Sequence, residues 1–365
     1  HRGEGLLQEG TSVKEDSRKF LHSLLETPSP SGFERKIGRL WRSHLEEIAD
    51  EVSVDVMGNN VVEIEGTGGP RILLTAHLDE IGLMVTRVGD DGFIRFRPIG
   101  GPHVEVLPGQ PVMILTDGGE GDVTVPGILM WNGYARTSSG PPKIDSLVID
   151  IGVDTGVEAK RLVRPGDPIV IDVAPRQLND DRFVSRGLDD KIGCFIIAEV
   201  MKRYAQDKGA ATIVGAATTM EEIGCYGAVT VAYDRNIDAC IWVDTTYDTL
   251  LPGVEPDTYG AHGIGKGPVL CVGGMISPIM LAGLRDAAEM LPCAVQYEVT
   301  PNKTLTDADY IQLSQKGIAH AGIFVSARNV HTPYETISLR DVEQTIGIIL
   351  SYIKSIPKNL DLRRT

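Results

Sequence analysis

The chain lacks any long apolar run. No stretch of its 365 residues approaches the roughly 18–20 uncharged residues of a membrane-spanning helix, so no membrane partner is expected. It also lacks a basic excess. With 35 Lys and Arg against 50 Asp and Glu, the net charge of −15 argues against binding to nucleic acid or to an anionic lipid surface. That balance suits solubility, cations or basic peptides and singles out none of them. Paired cysteines are missing too: Cys194, Cys225, Cys240, Cys271 and Cys293 are scattered in apolar surroundings with no C-x-x-C spacing. An odd, unspaced set reads as reduced, buried thiols. The first twenty residues, "HRGEGLLQEGTSVKEDSRKF", have neither an initiator Met nor the apolar core of a signal peptide. They read as a trimmed or tagged end, flexible over about 1–16, and the expected location is cytoplasmic.

What is present is an alternating texture. "EDSRKFLHSLLETPSPSGFERKIGRLWRSHLEEIA" places apolar residues at helical spacing on either side of a Pro/Gly turn, which predicts two amphipathic helices. "EVSVDVMGNNVVEIEG" predicts a hairpin, and the apolar "RILLTAHLD" a strand buried on both faces. From 84 to 178 the texture turns to short β-type segments cut by Gly and Pro, which predicts an inserted, β-barrel-like domain. After it, strands such as "ATIVGAATTM" and "DACIWVD" alternate with helices such as "LDDKIGCFIIAEVMKRYAQ". The predicted fold class is α/β: a mostly parallel or mixed sheet covered by helices on both faces and interrupted by a small barrel. The expected organisation is a catalytic domain in two parts, 1–83 and 179–365, with the insertion at 84–178.

Chemistry-bearing residues fall where strands end. His77 and Asp79 close "RILLTAHLD", Asp189 and Asp190 open a helix, Glu221 and Glu222 follow "ATIVGAATTM", Asp244 ends "ACIWVD", and His331 follows "AGIFVSARNV". Ligands of open α/β sheets gather at the carboxyl ends of the strands, so all would share one rim. Imidazoles and carboxylates converging there suit divalent ions, and two His with three carboxylates exceed the needs of one catalytic zinc. Each residue also has an ordinary alternative. A strand-end His is commonly just polar, "DD" commonly caps a helix, "EE" is commonly a solvated pair, and an Asp after a strand commonly starts a turn. The joint placement favours the metal reading. Elsewhere, His1, His22 and His44 read as surface residues. "GAHGIGKGP" reads as a loop without the setting of a nucleotide site, and Ser138 and Ser139 lack a nucleophile elbow.

"TAHLDEIGLMV", "LDDKIG", "MEEIGCYGA", "TDAD" and "VHTPYE" together resemble the tetrahedral aminopeptidases, dinuclear metallopeptidases that include glutamyl and deblocking enzymes, some labelled endoglucanase. The resemblance runs in order from about 17 to 355. It implies a zinc-peptidase-like domain and two divalent ions per subunit, with zinc first and cobalt or manganese as alternatives. His77 and Asp244 would bind one ion, Glu222 and His331 the other, and Asp189 would bridge. Glu221 would be the general base and Asp79 would orient His77. The insertion would serve assembly into a homo-oligomer, a dodecamer or a dimer. Two departures stand out: "WNGYARTSSGPPKID" replaces a "KPPH"-like stretch, and "VSARNV" precedes His331 where Pro-Thr-Arg is usual.

The expected activity is metal-dependent hydrolysis of the N-terminal residue of peptides with a free N-terminus, Glu221 taking a proton from water and handing it to the departing amine. The alternative is a dimetal deacylase acting on N-acylated amino acids or sugars. A glycosidase requires two carboxylates flanking the bond and gives a His-rich set no role.

Overall fold

A computed structural model describes residues 15–133, 142–233, 235–257 and 260–363. Ser138, Ser139 and His1 lie outside the described residues. The N-terminal helices are α1 (Glu15–Glu26) and α2 (Arg35–Leu45). The main sheet has eight strands: β1 (Glu51–Val54), β2 (Asn60–Ile64), β3 (Arg71–His77), β12 (Thr212–Thr218), β13 (Ala239–Tyr247), β14 (Val269–Val272), β15 (Gln296–Val299) and β16 (Ala319–Ala327), in the order β1-β2-β12-β3-β13-β16-β14-β15. Its centre, β12-β3-β13-β16, is parallel, while β2 and β14 run antiparallel to their inner neighbours. The sheet is therefore mixed. β3 and β12 are buried along nearly their whole length, as strands covered on both faces must be.

Between β3 and β12 the chain forms a closed barrel of β4 (Gly82–Val88), β5 (Ile94–Ile99), β6 (Pro111–Leu115), β7 (Thr124–Trp131), β8 (Leu147–Asp150) and β9 (Pro168–Ile171), with the short helix α3 (Gly156–Leu162). The barrel has its own apolar core, including Leu83, Ile94, Ile114, Leu129, Ile149 and Ile169. Leu83 pairs with Ile169, so the chain enters and leaves the barrel side by side. A small sheet of β10 (Arg176–Gln177), β11 (Arg182–Ser185) and β17 (Glu335–Ser338) follows it.

The remaining helices are α4 (Leu188–Gln206), α5 (Tyr226–Val231), α6 (Pro278–Glu289), α7 (Ala308–Ile311) and α8 (Leu339–Ser355). α4 is buried almost all round, so it is the central pillar rather than an amphipathic surface helix. Trp41 Nε1 of α2 donates to its Cys194 carbonyl at 2.9 Å. Beside it, a Cβ at Gly322 of β16 would lie 2.0 Å from Trp242 of β13. Only glycine lets these two strands pair over the indole. Two expectations need correction. His44 is half-buried and stacks on Phe20 with ring centroids 3.6 Å apart, because α1 lies over that side of α2. Cys293 is half-buried, whereas the other four thiols are buried. No helix among the described residues is long and apolar enough to cross a membrane.

Candidate metal centre

Strand register sets the site. Thr218 of β12 lies opposite His77 of β3, and Trp242 of β13 lies opposite Thr75. Asp244, two residues past Trp242, is therefore level with His77, and it pairs with Phe324 of β16. The segments leaving β3, β12, β13 and β16 diverge from one rim, and the start of α4 closes on the same place. β13 continues to Tyr247, so Asp244 projects from within a strand rather than ending it.

All seven residues given roles in the sequence analysis come together here. Asp189 Oδ1 lies 3.3 Å from His77 Nε2, and Asp189 Oδ2 lies 3.5 Å from His331 Nε2. His77 Nε2 also faces Asp244 at 4.0 Å and Glu221 at 3.8 Å. His331 Nε2 faces Glu222 at 3.2 Å. Each imidazole commits its other nitrogen to a carbonyl: His77 Nδ1 is 3.1 Å from the Asp79 oxygen and His331 Nδ1 is 3.2 Å from that of Gly101. An Nδ1–H fixed in this way leaves Nε2 as the free donor, the usual second contact of a metal-bound histidine.

The adjacent acids are explained by their backbone. Asp79 Oδ1 accepts from the Glu221 amide at 3.0 Å and Oδ2 from the Glu222 amide at 3.1 Å, while the Ser31 hydroxyl donates to Oδ2 at 2.6 Å. Asp79 Oδ1 is also 3.4 Å from His77 Nδ1. Glu34 accepts from the Met220 amide at 3.0 Å, bracing a turn in which Met220 has a left-handed φ of 56°. Glu335 does the same on the opposite side, its two oxygens accepting from the His331 amide at 2.9 Å and the Asp189 amide at 3.0 Å. Two buried carboxylates thus clamp the backbones of two pairs of site residues.

Burial first, then Asp190 and Asp189, pushes the Asp244 carboxyl well above its ordinary range. Burial, joined by Asp307, Glu222 and Asp79, pushes Glu221 up to about 8 although His77 opposes it. Burial works against a charged imidazole, yet Asp189 and Glu222 push His331 up to about 12. The pocket therefore carries more negative charge than its histidines balance. Glu222 Oε1 and Asp190 Oδ2 are buried without partners. Nitrogen and oxygen donors in this excess fit divalent cations.

Sequence reasoning missed the supports. Asp190 groups with His77 and Asp244 rather than merely capping a helix. Glu80, next to Asp79, binds Arg186 at 2.6 Å and Lys191 at 2.7 Å, all three buried. Glu335 and Asp307 lay within "VHTPYE" and "TDAD", so their presence was visible but not their partners. His103 donates its amide to the His331 carbonyl at 3.1 Å, and His262 is buried near Glu298 at 3.6 Å.

Fold and site together are those of an α/β peptidase. The chain belongs to the M42 glutamyl aminopeptidase family, whose model matches residues 58–348, which makes it an aminopeptidase and a hydrolase. It is 30% identical over 346 residues to the lysyl aminopeptidase of Pyrococcus furiosus, covering 93% of this chain and 97% of that protein. The TET aminopeptidase from the marine sediment archaeon Thaumarchaeota archaeon SCGC AB-539-E09 superposes with a TM-score of 0.88 at 27% identity, covering 94% of this chain and 97% of that one. Pyrococcus horikoshii TET1 peptidase, described as assembling into a tetrahedron or a large octahedral shell, gives 0.81 at 29% identity, covering 93% and 99%.

Burial would raise the Glu80 carboxyl, yet Arg186 and Lys191 hold it at about 2. Its folded value lies below the ordinary Glu value of about 4.3, so its stabilisation is full above that value and is lost as pH falls toward about 2. In denaturant titrations Glu80→Gln should be less stable at neutral pH by about 3 kcal/mol or more, as expected for leaving buried cations unpaired. The gap from wild type should narrow as pH drops below about 4.

Proposed function

We propose that the protein is a dinuclear metallo-aminopeptidase that removes the N-terminal residue of peptides with a free N-terminus. The observation that carries this is the Asp189 carboxylate, whose two oxygens face two different imidazoles at 3.3 and 3.5 Å. His77 and Asp244 would hold one divalent ion, Glu222 and His331 the second, and Asp189 would offer one carboxylate oxygen to each. Bound there, the ions supply Lewis acidity to the scissile carbonyl and acidify a water. Zinc is the first candidate, and this donor set also accepts cobalt or manganese.

Glu221 does the proton work. Its carboxylate points at the His77 side of the cluster, 3.8 Å from Nε2, while Asp79 fixes its backbone. It takes the proton of the attacking water and returns it to the amine nitrogen as the peptide bond breaks. Asp79 positions both this base and the His77 ring. The uncompensated acids of the pocket attract the substrate's α-ammonium group, which limits cleavage to the first residue.

The barrel is the proposed assembly domain and a second copy of this chain its partner, in keeping with the shells described for the TET1 relative. β7 alternates inward and outward, leaving Ile128 and Met130 exposed on the outside of the barrel. Outward apolar side chains on a barrel with its own core are unneeded for folding and suit a subunit contact.

Matched peptides with free and acetylated N-termini, assayed before and after chelation and metal restoration, test the activity. Release of the first residue from the free peptides alone, lost on chelation and regained with metal, is expected. Cleavage of the acetylated set alone would make the enzyme a deacylase. Glu221→Gln should keep its metal content while turnover falls by about 10²-fold or more; loss of metal would reassign Glu221 as a ligand. Ile128→Glu combined with Met130→Glu should reduce the sedimenting species to a smaller one without changing the circular dichroism. An unaltered assembly would move the contact to another surface.

A further inference from the structure

Behind the paired glutamates lies a second group of donors, of which the mechanism uses Glu221 alone. Glu221, Cys225 and Asp307 each offer a ligand atom within 4.8 Å of the others. Glu221 and Cys225 sit on one turn, with the Cys225 amide bonded to the Glu221 carbonyl at 2.9 Å. A left-handed φ of 56° at Cys225 accompanies a thiol turned back onto its neighbour, and Sγ lies 3.3 Å from Glu221 Oε1. Asp307 arrives from a different segment, at the start of α7.

Asp307 is the independent sign. An aspartate in that position ordinarily turns its carboxylate onto the first amides of its helix, but Asp307 makes no such bond. It is only 5% exposed. Oδ2 accepts from the Thr218 hydroxyl at 2.5 Å, while Oδ1 is buried without a hydrogen-bond partner and the carboxylate offers an oxygen within 4.8 Å of the Cys225 thiol. Asp307 and Thr306 adjoin His77 and Asp244, so the group backs onto the candidate metal centre.

The geometry points to a third, inhibitory site in which Glu221, Cys225 and Asp307 take up a thiophilic divalent cation such as Zn²⁺ or Cd²⁺. One thiolate and two carboxylates supply the soft and hard donors these ions accept. Binding forms a metal–sulfur bond and releases the thiol proton to solvent, with no change of oxidation state. The inhibitory role rests on Glu221 being the general base: a carboxylate committed to a cation cannot take a proton from water. Such a site makes activity rise as the catalytic ions load and fall when the same metal is in excess.

The test uses the holoenzyme with its ions restored. Zn²⁺ is added in excess with bound metal counted by equilibrium dialysis, and Cd²⁺ is added in parallel with the ultraviolet thiolate-to-cadmium charge-transfer absorbance as readout. Expected are a third ion per subunit, appearance of the thiolate band, and turnover falling by about 10²-fold or more at saturation. Cys225→Ser should lose the band and the third ion, and inhibition, scored against that variant's own activity without added metal, should disappear. Asp307→Asn should need roughly tenfold or more Cd²⁺ for the half-maximal band. Failure of wild type to bind a third ion, or a band that survives in Cys225→Ser, would overturn the site. A third ion held by Cys225 with turnover unchanged would overturn its inhibitory role, and would do so through Glu221 rather than through the donors.

Discussion

Everything at the rim of this sheet follows from one constraint: a crowd of carboxylates must be taken out of water. Asp79, Asp189, Asp190, Glu221, Glu222, Asp244, Asp307 and Glu335 are buried or nearly so in one place, and an isolated buried carboxylate is among the costliest groups a protein can hold. The molecule meets the constraint in two ways. Asp79 and Glu335 are satisfied by backbone amides and stay permanently engaged. Asp189, Glu222 and Asp244 keep oxygens turned to the imidazoles and to each other, a charge that polyvalent cations would neutralise. Carboxylates doing structural work are thus separated from carboxylates left available, though both kinds share one pocket.

A second charged network keeps that separation in place. Glu80 follows Asp79 directly and is locked to Arg186 and to Lys191, which also donates to the Thr27 carbonyl at 2.9 Å. Arg186 and Lys191 flank Asp189 in sequence. The end of β3 and the start of α4 are therefore tied together within two or three residues of His77 and Asp189, and the Asp189 carboxylate is carried to the point between the imidazoles. Charged pairs this deep are poor evidence of net stability. Their use here is to fix register between two segments that no hydrogen-bonded ladder joins.

Much of this was legible in the sequence, for a physical reason. Apolar runs report buried strands, and a polar residue at a strand end is adjacent in sequence to the run that positions it, so His77, Glu221, Glu222, Asp244 and His331 stand out. The barrel was legible because short Gly-punctuated β segments have no helical period. The supports were not legible because their partners are distant: Glu335 meets Asp189 across 146 positions and Asp79 meets Glu221 across 142. Asp190 looked like a cap because its neighbours do open a helix. His44 looked solvated because its own helix gives no hint that Phe20 covers it. Gly322 looked like any strand glycine until Trp242 was seen to occupy the place of its Cβ.

The barrel is more than an appendage to the site. Gly101, just past β5, accepts from His331 Nδ1, and the His103 amide donates to the His331 carbonyl. The orientation of that imidazole is therefore set from the barrel side, while Glu335 holds its backbone from the sheet side. A Cβ at Gly100 would sit 2.9 Å from Ile81 and 3.3 Å from the Glu222 side chain, and its φ of 68° is natural to glycine alone. The return from β5 is thus shaped to pass close over the carboxylates. If subunits meet through the barrel's outer face, strain placed on that contact reaches His331 through backbone bonds. No separate transmitting element would then be required, because the segment that follows β5 also orients the His331 ring.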